Sequence, residues 1–120
     1  MIQYPHLKAG AVIGVTAPSS GVPAELHHLL TLSERSMNSK GFSVVFGDTA
    51  WGQEKARSSS AKTRADEFMS MMQNPDIDII IPPWGGELLI EILEHIQFDS
   101  MKNKWVLGYS DVSALILPLP

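Results

Sequence analysis

Apolar residues in this chain follow two rhythms. Short, nearly continuous runs stand at Ala11–Ala17 (AVIGVTA), Phe42–Phe46 (FSVVF), Ile77–Ile81 (IDIII) and Trp105–Tyr109 (WVLGY). Runs of that length with little alternation mark strands covered on both faces. Between them the spacing turns helical. Val22–Lys40 carries Leu26, Leu29, Leu30, Leu32 and Met37, with Pro23 tolerated in a first turn and Gly41 placed to stop the helix. Ala61–Gln73 has a stripe of Phe68, Met71 and Met72 and is ended by Asn74-Pro75-Asp76, and Glu87–Ile96 reads as a third, amphipathic helix. Gly47–Ser60 (GDTAWGQEKARSSS) has no period and reads as an exposed loop. Strands alternating with helices imply parallel crossovers. The expected fold class is therefore α/β: a parallel sheet in strand order 2-1-3-4 with flanking helices, as in a flavodoxin-like or class I glutamine amidotransferase-like three-layer sandwich.

The segment Ile77–Leu93, IDIIIPPWGGELLIEIL, adds chemistry to this frame. It reads as a buried strand, a Gly-Gly turn and a helix start. A sharp turn at the carboxyl end of a parallel strand can lift a nucleophile above the sheet, beside backbone N–H groups that hold an oxyanion. No Ser, Cys or Thr lies between Gly85 and Leu93, so the frame of a hydrolase site lacks the reacting group at its centre. Gly85, Gly86, Glu87 and Leu88 are the expected turn and oxyanion residues.

The 120 residues, 44% hydrophobic with a net charge of −4, are enough for one soluble globular domain. With no basic excess and no basic stripe, nucleic acid is excluded as a partner. The absence of Cys removes disulfides and thiolate metal sites and fits a reducing compartment. No apolar run approaches the roughly 18 residues of a membrane span, and MIQYPHLKAG lacks a signal-peptide core. A cytoplasmic location is expected, with no membrane partner, cofactor or metal. His27 and His28 are adjacent rather than spaced to chelate, and His6 and His95 have no ligand partners at useful spacing. The methionines Met69, Met71 and Met72 read as core filler.

In a doubly wound sheet the ligand crevice lies beyond the carboxyl ends of the strands. Pro18–Gly21, Trp84–Leu89 and Ser110–Asp111 should converge there, with Pro18, Ser19, Ser20, Trp84, Ser110 and Asp111 lining the crevice. Those segments also carry a likeness. LKAGAVIGVTAPSS, the Arg-initiated RADEFMSMMQNPDIDIII, the Gly-Gly turn and GYSDVSAL occur in an order that resembles the N-terminal half of the LD-carboxypeptidase family, which includes the microcin C immunity peptidases.

The resemblance implies a two-domain serine hydrolase that cuts the amide between an L- and a D-amino acid in cell-wall tetrapeptides, or a related amide in a peptide-nucleotide. In that family the N-terminal domain supplies the Ser and the oxyanion donors, and a separate C-terminal domain supplies His and Glu. The family turn resembles G-G-x-G/N-S, which puts the nucleophile position at Leu89 and the residue before it at Leu88. A leucine cannot attack a carbonyl. Residues 1–120 are expected to form the N-terminal α/β domain alone, ending at LILPLP without the C-terminal domain, and to be inactive.

Other residues carry paired readings. Ser110, in Gly108-Tyr109-Ser110-Asp111, suggests a nucleophile, but Val112 replaces the second Gly of an elbow motif, and the plainer reading is a helix cap. Glu87 is either a carboxylate nucleophile or ligand anchor, or a first-turn residue complementing the helix dipole. Glu91 reads as a solvated or interdomain face, with a binding role as the alternative. Ser19, Ser20 and Gly21 could present hydroxyls and N–H groups to an anion, or form a plain turn and cap. Trp51 reads as part of a mobile loop, Trp84 as an apolar wall for a ligand. Two functions follow: an LD-carboxypeptidase-like hydrolase domain, or a non-catalytic module that keeps the crevice to bind a peptide-like ligand or to dimerise. The apolar LILPLP end favours a homodimer.

Overall fold

The computed structural model describes residues 7–53, 57–86, 88–97, 104–108 and 112. Four strands form one sheet: β1 (Val12–Val15), β2 (Ser43–Phe46), β3 (Ile79–Ile80) and β4 (Trp105–Val106). Their order is β2-β1-β3-β4, and every neighbouring pair is parallel. This is the topology that the alternation of strand and helix predicts. Ile13 lies opposite Val44 on one side and Ile79 on the other, which fixes the register at the centre. The strands are shorter than their apolar runs. For β3 the cause is chemical, because Pro82 and Pro83 carry no N–H to continue a ladder. Isolated rungs still extend it, from Asp78 N to Val12 O and from Ile81 N to Gly14 O, each 2.9 Å.

A 3-10 turn at Ala24–Leu26 leads into α1 (His27–Ser39), and Gly41 follows with φ of 91°, the left-handed conformation that ends a helix cheaply only at glycine. Helix α2 (Ala61–Gln73) has the predicted bounds. Ser60 caps its start, its hydroxyl accepting from Thr63 N at 3.2 Å. At its end the half-buried Lys104 donates Nζ–H to Met71 O, Asn74 O and Ile77 O at 2.7, 2.7 and 2.8 Å. One ammonium thus gives a charged donor to all three carbonyls, two of which, Met71 O and Asn74 O, also accept from Asn74 N and Ile77 N at 3.3 Å, where the helix dipole favours a cation.

Two expectations are corrected. Glu87–Ile96 is not an α-helix: the described part is a 3-10 helix over Leu89–His95, with Glu91 N bonded to Leu88 O three residues back. Its β-branched Ile90 and Ile92 weaken α-helix propensity. Gly47–Ser60 is not uniformly exposed, because Asp48–Trp51 forms a 3-10 turn that buries Thr49 and Ala50, and Ser58 is buried as well.

The two sheet faces hold separate cores. Ile13, Val15 and Ile79 face α1 together with Val22, Leu30 and Ala50. Ile80 faces the other way, into a cluster with Ala65, Phe68 and Met72 of α2 and Leu89 and Ile92 of the 3-10 helix. Successive strand residues point to opposite faces, so this division follows from the pleat. Gly14 lets α2 approach, since a Cβ there would meet Met71 Sδ at 3.1 Å. Among the described residues no helix is long and apolar enough to cross a membrane.

Candidate functional site

Because all four strands are parallel, their carboxyl ends and the first turn of α2 share one edge. The loop leaving β1 is pinned there. Ser58 donates its N–H to Ser19 O at 2.9 Å and its hydroxyl to Ala17 O at 2.7 Å. Gly21 N reaches Gln53 Oε1 and Val22 N reaches Ala50 O, both at 2.9 Å. Glu67, from α2, enters beneath this loop. Its carboxylate accepts from the hydroxyls of Thr16 and Thr49 and, at 3.1 Å, from Thr49 N. Thr49 Oγ1 in turn accepts from Ala17 N at 2.8 Å. Thr16 and Thr49 are almost fully buried, and the network leaves each of these polar groups partnered.

The loop faces the Gly-Gly turn. Trp84 Nε1–H donates to Gly21 O at 3.0 Å. Gly86, at φ of +157°, has no space for a side chain: a Cβ would overlap Ser19 Oγ and Ser20 Oγ. Arg64 completes the junction from α2. The guanidinium is fully buried and donates from Nη1 to Pro18 O at 3.0 Å and to Leu88 O at 2.9 Å, from Nε to Ser59 O at 3.0 Å, and from Nη2 to Glu91 Oε1.

Of the residues expected at the crevice, Pro18, Ser19, Ser20, Trp84, Gly85, Gly86 and Leu88 therefore meet along one edge. Leu89 does not join them. Its side chain is 0% exposed and packs in the α2-side core. Glu87, Ser110 and Asp111 lie outside the described residues. Glu91 is not a purely solvated face, because it pairs with buried Arg64. Trp51 is half-buried, edge-on to His27 at a centroid distance of 5.1 Å and beside Phe46 at 5.0 Å, rather than free in a loop. His27 Nε2 lies 2.7 Å from Val22 O.

Arg64 and Glu67 are site-edge residues that hydrophobic periodicity does not announce. A signal exists for the first: Arg64, Phe68 and Met71 recur at helical spacing, which sets a cation inside the apolar stripe. A cation there must find buried acceptors. Beside the crevice, a cavity of about 220 Å³ separates α1 from the sheet, lined by Ile13, Leu30, Met37, Phe46 and Pro83 among others. Its walls are apolar and offer no reacting group beyond Ser33 and Glu34.

Comparison with known proteins agrees with this geometry. A family model described as the LD-carboxypeptidase N-terminal domain matches residues 13–120. The chain is 32% identical over 123 residues to the microcin C7 self-immunity protein MccF of Escherichia coli, covering 97% of this chain and 36% of that protein. It is 30% identical over 119 residues to a Vibrio cholerae protein with a provisional carboxypeptidase name, covering 98% and 36% respectively. The structure of MccF in complex with aspartyl sulfamoyl adenosine superposes with a TM-score of 0.81 at 29% identity, covering 96% of this chain and 35% of that one. The chain thus spans about a third of the length of the curated relatives it matches. With the family match running from Ile13 in β1 onward through the pinned loop, the Gly-Gly turn and β4, this chain belongs to the LD-carboxypeptidase family and corresponds to its N-terminal domain.

Proposed function

We propose that this chain is the crevice-bearing part of an LD-carboxypeptidase-like serine hydrolase that acts on cell-wall tetrapeptides or peptide-nucleotides in the cytoplasm, and that on its own it binds a peptide-like ligand without cleaving it. The observation that carries the reading is Leu89. The resemblance to the family implies a nucleophile at that position, and here its side chain is apolar and turned wholly into the core. The retained features are those of binding: a pinned loop with Ser19 and Ser20, and a Gly-Gly turn held against it. The bound aspartyl sulfamoyl adenosine of the MccF structure supports a ligand of peptide-nucleotide character.

On this reading the isolated chain works without the serine and its base, and positioning then leaves at most the roughly 10³–10⁴-fold residual rate that such sites keep over water. The expected result is no cleavage of muropeptide tetrapeptide by the purified chain, together with saturable binding of aspartyl sulfamoyl adenosine. Turnover that disappears with Ser110→Ala would overturn the reading and make Ser110 the nucleophile.

Self-association belongs to the same reading. Leu29 and Leu32, one turn apart on α1, are 43% and 53% exposed, and paired apolar side chains on an outer helix face favour burial against a second surface. Sedimentation velocity from micromolar to near-millimolar protein is expected to show dimers, and a monomer throughout that range rules this out.

A further inference from the structure

Two ties join the β1 loop to the Gly-Gly turn, and they sit at opposite ends of the junction. At one end Trp84 Nε1–H meets Gly21 O, and at the other Arg64 Nη1 bridges Pro18 O and Leu88 O. Ser19, Ser20 and Gly86 lie between them. The loop runs from Pro18 to Gly21 while the turn runs from Leu88 back to Trp84, so the two segments form a bracket closed at both ends. From this geometry we propose that Arg64 is a positioning residue: its guanidinium sets the spacing between the serine loop and the turn, and hence the width of the crevice.

The chemistry of the side chain supports the assignment. A fully buried cation is costly unless its donors are all used in good geometry. Arg64 has one carboxylate partner, Glu91, whose side chain is 38% exposed, and three backbone carbonyl partners on three separate segments. A planar fork with five N–H donors can make those bonds at once, whereas a lysine ammonium has three donors at a single point. The carbonyls it holds belong to crevice walls rather than to the interior of α2. Ser59 O, just before that helix, is the local exception and anchors the side chain at its base.

The proposal rests on the reading that this edge is the ligand site, but its test uses no ligand, so the two can fail separately. The indole N–H of Trp84 reports the far end of the bracket, and Trp51 and Trp105 serve as internal controls. In Arg64→Lys, hydrogen exchange at the Trp84 indole, followed by nitrogen-15 NMR and assigned with Trp84→Phe, is expected to speed up about tenfold or more as the junction opens locally. Exchange at the two control indoles should stay within about twofold if the fold is intact. A folded Arg64→Lys protein whose Trp84 exchange equals that of the wild type overturns the proposal. Should Arg64→Lys fail to fold, Glu91→Ala decides, because Glu91 is partly exposed and its loss frees one arm of the guanidinium. Selective acceleration at Trp84 in Glu91→Ala supports the bracket, and an unchanged Trp84 overturns it.

Discussion

Leu89→Ser is expected to destabilise the chain by about 3–8 kcal/mol and to create no hydrolase activity. Both halves follow from where the side chain lies. Leu89 is 0% exposed among Phe68, Met72, Ile80 and Ile92, so removing its isobutyl group costs the transfer energy plus a cavity, typically about 2–5 kcal/mol for truncation to Ala. The serine hydroxyl then adds the desolvation of a buried polar group, on the order of 1–3 kcal/mol if unpaired. Against a total stability of about 5–15 kcal/mol for a typical domain, that is a large share. The family resemblance implies that the activating His comes from a C-terminal domain, so this chain alone is expected to leave the hydroxyl unactivated. Of the three described histidines, the His27 ring packs on Trp51 with Nε2 at Val22 O, His28 is exposed on the first turn of α1, and His95 lies at the end of the 3-10 helix beside Glu94. Urea unfolding of Leu89→Ser beside Leu89→Ala measures the stability cost, and an acyl-enzyme trap measures chemistry. A loss below about 1 kcal/mol accompanied by acylation would show that residue 89 faces the crevice instead.

The same residue shows how far the sequence could be read. Strand order, parallel sense and the bounds of α2 were legible because they rest on pattern: apolar runs, a Ser60 cap and a 3.6-residue stripe. The turn was legible as Gly85-Gly86 between a strand and a helical segment. The family resemblance implies a role for position 89 but gives its side chain no direction. The side chain's inward direction depends on the 3-10 geometry of Leu89–His95 and on the space left by Ala65 and Phe68, which periodicity does not encode. Gly47–Ser60 departs from the exposure its letters imply for a related reason. Its polar letters suggest solvent, yet Thr49 is buried as a partner of Glu67, and Ser58 holds the β1 loop through Ala17 O and Ser19 O. Polar residues whose partners lie far along the chain give no local signal. Arg64, whose acceptors include Pro18 O and Leu88 O, is the same case with a charge.

Gly86→Ala tests the closeness of loop and turn directly, and it is expected to cost about 2–4 kcal/mol. Part of this is backbone strain, since φ of +157° is a region L side chains rarely enter, at about 1–3 kcal/mol. The rest is overlap of the new methyl group with the hydroxyls of Ser19 and Ser20, and Ser20 Cβ lies only 3.2 Å from where it would sit. Ser19 is fully buried and has little room to withdraw, whereas Ser20 is only half-buried. The overlap should therefore be relieved chiefly through Ser20. A double-mutant cycle of Gly86→Ala with Ser20→Gly isolates that share, and a coupling of about 0.5–3 kcal/mol in the relieving direction is expected for residues in direct contact. Strain at residue 86 would survive in the double variant, because removing a neighbour does not change φ. On the proposed function, affinity for aspartyl sulfamoyl adenosine should fall in the single variant and recover in part in the double. A Gly86→Ala cost below about 0.5 kcal/mol with no coupling to Ser20 would mean that loop and turn are not in contact, and the crevice would need another description.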